Sequence, residues 1–272
     1  MKAPKDQHFL VDENAVRRIA GLVDVKDRLV LEIGPGRGIL TRALLARGAH
    51  VRAVEIDHDL FSDLEEDFED DISHRRLELI QGDATKCELP EFDIVVSNLP
   101  YSASSKITFR LLDRGFETAV LMYQSEFAHR MLAPVGTPGC GRLSVMVQTY
   151  ACVEKCFELS PNCFSPKPQV RSMVVKIMPR GPIFEIGDRK LYADIVRALF
   201  SHRRKTVRNS LKGSSGILDK GFVSYVLGLL PEEILSSRPE ELYLEDFATI
   251  TNVGMGYHHG YAGSPDHSVT DD

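Results

Sequence analysis

The chain has 272 residues, with 33 Lys plus Arg against 39 Asp plus Glu and a formal net charge of −6. Hydrophobic residues at 43% and charged residues at 26% suit a globular chain long enough for one large domain and a small one. The acidic balance argues against a surface built throughout for nucleic acid, so phosphate contacts would have to come from a local basic cluster. Cys87, Cys140, Cys152, Cys156 and Cys163 form no C-x-x-C pair and read as reduced thiols, with no metal site expected. No stretch has the apolar length of a membrane span or a signal-peptide core, so a cytoplasmic protein without membrane attachment is expected.

In chain order, the first two-thirds alternate short apolar runs with amphipathic segments. Strands are predicted at 28–33, 51–56, 77–81, 92–97 and 119–123, with 143–151 and 173–177 as closing strands. Helices are predicted between them at 39–47, 58–68, 105–113 and 126–132, the first stopped by Gly48. This alternation implies an α/β fold with a parallel, doubly wound sheet. After the turn at Pro179-Arg180-Gly181-Pro182 the spacing of Leu191, Ile195, Val196, Leu199 and Phe200 is helical. Further helices are predicted at 205–211, 222–229 and 240–250. The expected organisation is an α/β domain over 1–180, a small all-helical domain over 183–253 and a disordered tail over 254–272. His258 and His259 fall in that tail and read as solvated.

Glu32-Ile33-Gly34-Pro35-Gly36-Arg37-Gly38 lies between a predicted strand and helix, where glycines let the backbone approach a ligand closely. A tight βα turn would use the same residues. Two details go further. Ile39 stands where the dinucleotide fingerprint G-x-G-x-x-G has its third glycine, which argues against NAD. Glu55 ends the second strand about twenty residues on, placed to accept from ribose hydroxyls. Asp83, in Gly82-Asp83-Ala84 after the third strand, can accept from an adenine amine. Jointly these strand-end acids favour a nucleoside cofactor, whereas Asp57 and Asp59 read as caps of the next helix.

Ser97-Asn98-Leu99-Pro100-Tyr101 ends the fourth strand. An exocyclic adenine amine is a poor nucleophile because its lone pair is delocalised into the ring. The Asn98 side-chain oxygen and the Leu99 carbonyl would accept its two hydrogens and turn the lone pair toward a methyl donor. Pro100 fixes the direction of the chain, and Tyr101 offers a face on which a flipped-out base can stack. No strong general base is then needed, and the catalysis is mainly positioning. The plain alternative is a strand-to-turn segment with Asn and Pro as turn formers.

A series of motifs in a fixed order resembles the small-subunit ribosomal RNA adenine dimethyltransferases of the KsgA type. They are Gln7-His8-Phe9-Leu10, Glu32 to Gly36, Val54-Glu55-Ile56-Asp57, Gly82-Asp83-Ala84 and Asn98 to Tyr101, followed by Gly141-Arg142-Leu143-Ser144 and Phe164 to Val170. The resemblance spans roughly Gln7 to Leu211. It implies a Rossmann-like methyltransferase sheet and S-adenosyl-L-methionine (SAM) as methyl donor. It also implies N6,N6-dimethylation of two adjacent adenines near the 3′ end of small-subunit rRNA. The setting would be a pre-ribosomal particle, with the enzyme expected as a monomer. By resemblance His8, Leu10, Gly34, Gly36, Glu55, Asp83 and Asn98 line the SAM site. Phe164, expected in an exposed loop between Pro161 and Pro166, would cover the face of the target base opposite Tyr101. Asp6 stands where the family usually has Gly, and the usual basic segment is reduced to Lys2 and Lys5.

The charge objection is met by a cluster of Arg197, His202, Arg203, Arg204, Lys205, Arg208 and Lys212, with no acid between Arg197 and Lys212. It is the expected RNA footprint, with Arg130, Arg142, Lys167 and Arg171 as a possible rim. Two rival readings stand beside this one. A large-subunit rRNA adenine methyltransferase of the macrolide-resistance kind would be more basic and often has Ile where Leu99 stands. A methyltransferase fold reused without catalysis in ribosome assembly or transcription would not need Asn98 to Tyr101 intact.

Overall fold

All but one of the apolar runs expected as strands pair side by side in the computed structural model, which describes residues 7–257. In chain order the first part of the protein contains β1 (Phe9–Leu10), α1 (Glu13–Ala20), β2 (Leu29–Ile33), α2 (Ile39–Ala46), β3 (His50–Glu55), α3 (His58–Asp67), α4 (Glu69–Ser73) and β4 (Leu77–Gln81). It continues through β5 (Ile94–Asn98), α5 (Ser104–Arg114), β6 (Thr118–Gln124), α6 (Ser125–Leu132), α7 (Arg142–Tyr150), β7 (Ala151–Leu159), β8 (Phe164–Ser165) and β9 (Ser172–Pro179). Seven strands form one sheet in the order β4-β3-β2-β5-β6-β9-β7. The order reverses between β2 and β5, the switch point beside which open α/β sheets bind ligands. β1 and β8 form a separate antiparallel pair.

Two expectations need correction. The sheet is parallel only from β4 to β6, because β9 runs antiparallel to both β6 and β7. The segment 143–151, expected as a closing strand, is for the most part the helix α7. Its neighbours Leu143, Ser144 and Val145 are all buried, a continuity that a one-faced strand would not produce. Gly141 N donates to Ser144 Oγ at 3.1 Å at the start of the helix. The true strand, β7, carries a register shift between Lys155 and Phe157, which breaks the period-two pattern by which a strand is recognised.

The described residues divide into two compact units, 7–128 with 151–179 and 129–150 with 180–257. The second unit therefore takes in a segment that lies well before the expected boundary at 180. The reason is the packing of α7. Val145 belongs to the same buried cluster as Tyr192, Ile195 and Leu199, and Thr149 Oγ1 lies 2.8 Å from the Tyr192 hydroxyl. The other helices of this unit are α8 (Arg189–Phe200), α9 (Val207–Lys212), α10 (Lys220–Leu229), α11 (Glu232–Ser236) and α12 (Leu244–Met255). Asp188, Thr206 and Asp219 cap α8, α9 and α10 with side-chain acceptors. The helix expected at 240–250 begins instead as a 3-10 turn, Pro239–Glu241, before α12. Gly254 is helical, contrary to the expected start of the tail there. A Cβ on it would fall 2.6 Å from the Phe222 ring. The rest of that tail, with His258 and His259, lies outside the described residues, as do Lys2, Lys5 and Asp6. Among the described residues no helix is long and apolar enough to cross a membrane.

Candidate active site

The loop after β2 is bent by left-handed glycines: Gly34 at φ 68°, Gly36 at φ 60° and Gly38 at φ 72°. Gly34 N donates to Val54 O at 2.8 Å, which seats the loop on β3. A Cβ on Gly36 would fall 2.7 Å from the Phe9 ring, so glycine is required for close approach as well as for φ. The β1 segment thus lies over the loop, and the Arg37 guanidinium sits 5.0 Å from the Phe9 ring centroid.

One cleft collects most of the expected residues. It is lined by His8, Leu10, Gly34, Gly36, Glu55, Asn98, Leu99, Pro100 and Tyr101, all from the first unit. Asp83 and Phe164 do not line it. Asp83 stands beside it on the same sheet edge, since Gly82 N donates to Glu55 O at 2.8 Å. Phe164 corrects an expectation: it lies in β8 at 2% exposure, packed into the main core of the unit, and shows no face to a base.

Sequence reasoning missed several lining residues, including Gln7, Glu32, Arg37 and Ile56. Ile56 is 65% exposed although apolar, a flat greasy surface next to Glu55. Its place within Val54-Glu55-Ile56-Asp57 was the available signal.

The electrostatics differ from acid to acid. Glu55 is 4% exposed and accepts from Gly36 N at 3.2 Å, Ile56 N at 2.9 Å and Asp57 N at 2.9 Å. Burial raises its pKa, and those backbone donors oppose the shift. Asp83 goes the other way, held below the ordinary range chiefly by the Thr85 hydroxyl at 2.7 Å. Glu32, in the floor of the cleft, is pushed up to about 8 by burial, against the pull of the Thr41 hydroxyl at 2.7 Å.

This gives a prediction for pH. The unfolded chain releases the Glu32 proton near the ordinary value of 4.5, whereas the folded protein keeps it until about 8. Stability should therefore fall as pH rises through this window, with a slope from this group of at most about 1.4 kcal/mol per pH unit. Glu32→Gln should flatten that decline in denaturant titrations at pH 5, 6.5 and 8 without ligand. Parallel curves for both proteins would contradict it.

At the end of β5, Asn98 Nδ2 donates to the His8 carbonyl at 3.2 Å, and Ser97 Oγ donates to Ile33 O at 2.6 Å, tying β5 to β2. The Tyr101 hydroxyl lies 2.7 Å from Ser172 Oγ, and its ring centroid is 5.7 Å from that of His8. His8 Nδ1 is 2.9 Å from Pro166 O. The Asn98 amide, whose oxygen has no hydrogen bond among the described residues, a ring held by its hydroxyl and the buried Glu55 two strands away thus converge on one cleft.

The basic cluster from Arg197 to Lys212 lies in the second unit with Arg130 and Arg142, whereas Lys167 and Arg171 of the expected rim belong to the first. Arg203 makes bonds of 3.0 and 2.6 Å to Glu240 and one of 2.7 Å to Pro138 O, Arg197 bonds Asp194 at 2.8 Å, and Arg208 pairs with Glu232. Among the described residues Arg204 and Lys205 form no such pair, and both are exposed.

A doubly wound sheet with a glycine loop, a strand-end acid and an Asn-Leu-Pro-Tyr segment at the switch point defines a nucleoside-binding methyltransferase. The chain belongs to the ribosomal RNA adenine dimethylase family, which matches residues 2–250. A protein of Methanospirillum hungatei named "Probable ribosomal RNA small subunit methyltransferase A" is 58% identical over 252 residues, covering 93% of this chain and 98% of that one. A dimethyladenosine transferase from Plasmodium falciparum superposes with TM-score 0.74 at 29% identity, covering 89% of this chain and 96% of that one. The 23S rRNA methyltransferase ErmE gives TM-score 0.64 at 26% identity, covering 90% and 99%. The chain is a SAM-dependent rRNA adenine dimethylating enzyme, and neither rival reading is favoured.

Proposed function

We propose that this protein dimethylates the N6 amines of two adjacent adenines near the 3′ end of small-subunit rRNA, acting as a monomer on a pre-ribosomal particle in the cytoplasm. The observation that carries the proposal is the meeting of Asn98 to Tyr101 with the glycine loop and Glu55 in one cleft. When bound, SAM supplies an electrophilic methyl group. The glycine cradle, the buried carboxylate of Glu55, the apolar face of Ile56 and the acceptor of Asp83 suit its nucleoside portion. Asn98 gives Nδ2 to the His8 carbonyl, which leaves its side-chain oxygen for one amine hydrogen, while the Leu99 carbonyl takes the other. Tyr101 stacks the target base. The proton leaves to solvent once the nitrogen is methylated, so no side chain of high basicity is required.

The experiment is primer extension on small-subunit rRNA from cells lacking the gene. Dimethylated adenines stop reverse transcriptase, so the paired stops near the 3′ end should vanish and return on complementation. Stops that persist would refute the assignment.

Arg204 and Lys205 are proposed as the phosphate contacts, with Arg203 holding Glu240 and the Pro138 carbonyl inside its own unit. Neutralising Arg204 and Lys205 should reduce the salt slope of particle binding by about two units. Arg203→Ala should show instead as a lower melting temperature of the protein. An unchanged slope in the double variant would place the footprint elsewhere.

A further inference from the structure

Asp83 is held through both of its carboxylate oxygens, and unequally. Its Oδ1 accepts from Thr85 N at 2.8 Å and Thr85 Oγ1 at 2.7 Å. Among the described residues its Oδ2 meets only Lys86 Nζ at 3.5 Å, and that lysine side chain is 82% exposed. Oδ2 is therefore the oxygen available to an exocyclic amine. The turn that aims it is closed by Lys86 N and Cys87 N, each donating to Asp83 O at 2.8 Å. A single guanidinium grips this turn. Arg110 Nη1 donates to Ala84 O at 2.7 Å and Nη2 to Cys87 O at 2.8 Å.

Arg110 sits on α5, which begins three residues after Tyr101. A planar fork that spans two carbonyls on either side of a turn fixes both its position and its tilt, which a single point charge does not. The outer side of the grip opens onto a cavity lined by Glu88, Leu89, Arg110 and Arg114, so losing the guanidinium would hydrate those carbonyls and leave no buried void. We infer that Arg110 is the positioning residue for recognition of the cofactor's base: it orients the Asp83 turn toward the exocyclic amine and ties that turn to the helix following the target-base segment. The inference rests on the reading of Asp83 as the acceptor for that amine.

The test uses the full-length protein and two ligands, SAM and its analogue with hydrogen in place of the 6-amino group, with affinities measured by calorimetry. The wild type should prefer SAM by about tenfold or more, the scale of a lost hydrogen bond to a charged acceptor. Asp83→Ala should erase the preference. Arg110→Ala should remove most of it, and Arg110→Lys, whose ammonium reaches one carbonyl, should fall between. The Asp83→Ala, Arg110→Ala double variant should discriminate no worse than Asp83→Ala alone. A merely structural role would weaken both ligands equally and leave the preference intact. That result, in Arg110→Ala or in a better-folded Arg110→Lys, overturns the inference while the Asp83 reading stands. A preference that survives Asp83→Ala overturns both.

Discussion

Asn98→Ala should slow methylation by on the order of 10²–10³-fold in single-turnover assays, the scale seen when one preorganised hydrogen-bonding group is removed from a reacting centre. Affinity for SAM and for the small-subunit particle should stay within a few-fold of wild type. The reason is that the amine needs its acceptors most when the nitrogen rehybridises and its hydrogens become acidic, so the interaction is stronger in the transition state than in the ground state. The structure makes a further discrimination possible. Asn98 Nδ2 donates to the His8 carbonyl at 3.2 Å, which sets the amide's orientation. Asn98→Asp keeps an acceptor for the amine but turns a second oxygen toward that carbonyl, so it should not restore the rate. Near-normal rates in Asn98→Ala, or full rescue by Asp, would refute the proposed geometry.

Much of this site is legible in the sequence because it depends on local chemistry. Gly34 and Gly36 are readable because only glycine takes a positive φ at such low cost, and Glu55 because it ends a short strand that carries Val51, Ala53 and Val54. The His8 to Asn98 bond joins residues 90 positions apart through a backbone carbonyl, which leaves no mark on residue type. Phe164 misled for a related reason. Flanking prolines suggested an exposed loop, but two residues of pairing with β1 turn the ring into the core. For the basic cluster, a window of sequence omits the acids that the fold brings to it. No acid lies between Arg197 and Lys212, yet Glu240 and Glu232 arrive from 37 and 24 residues away to pair with Arg203 and Arg208. A local count of charge cannot see partners that the fold supplies.

Tyr101 separates a stacking role from a hydrogen-bonding one. Tyr101→Ala removes the face on which the target base is proposed to stack, worth about 1–3 kcal/mol, and should appear as weaker productive binding of the particle together with a lower rate. Tyr101→Phe keeps the ring and loses only the 2.7 Å contact of the hydroxyl with the fully buried Ser172. A typical hydrogen bond contributes about 1 kcal/mol, so Phe should be clearly milder than Ala but not silent, since the hydroxyl holds the ring's orientation. Ser172→Ala removes the same bond from the other side, and its effect should not add to that of Tyr101→Phe. Phe164→Ala provides the contrast. Its ring belongs to the core, so the loss should register as several kcal/mol of stability in denaturant titrations and not as a selective defect in base placement. Single-turnover methylation of unmethylated small-subunit particles, run beside melting curves, distinguishes these outcomes. Stacking by Tyr101 is refuted if Phe is as damaging as Ala, because the two variants differ only in the ring.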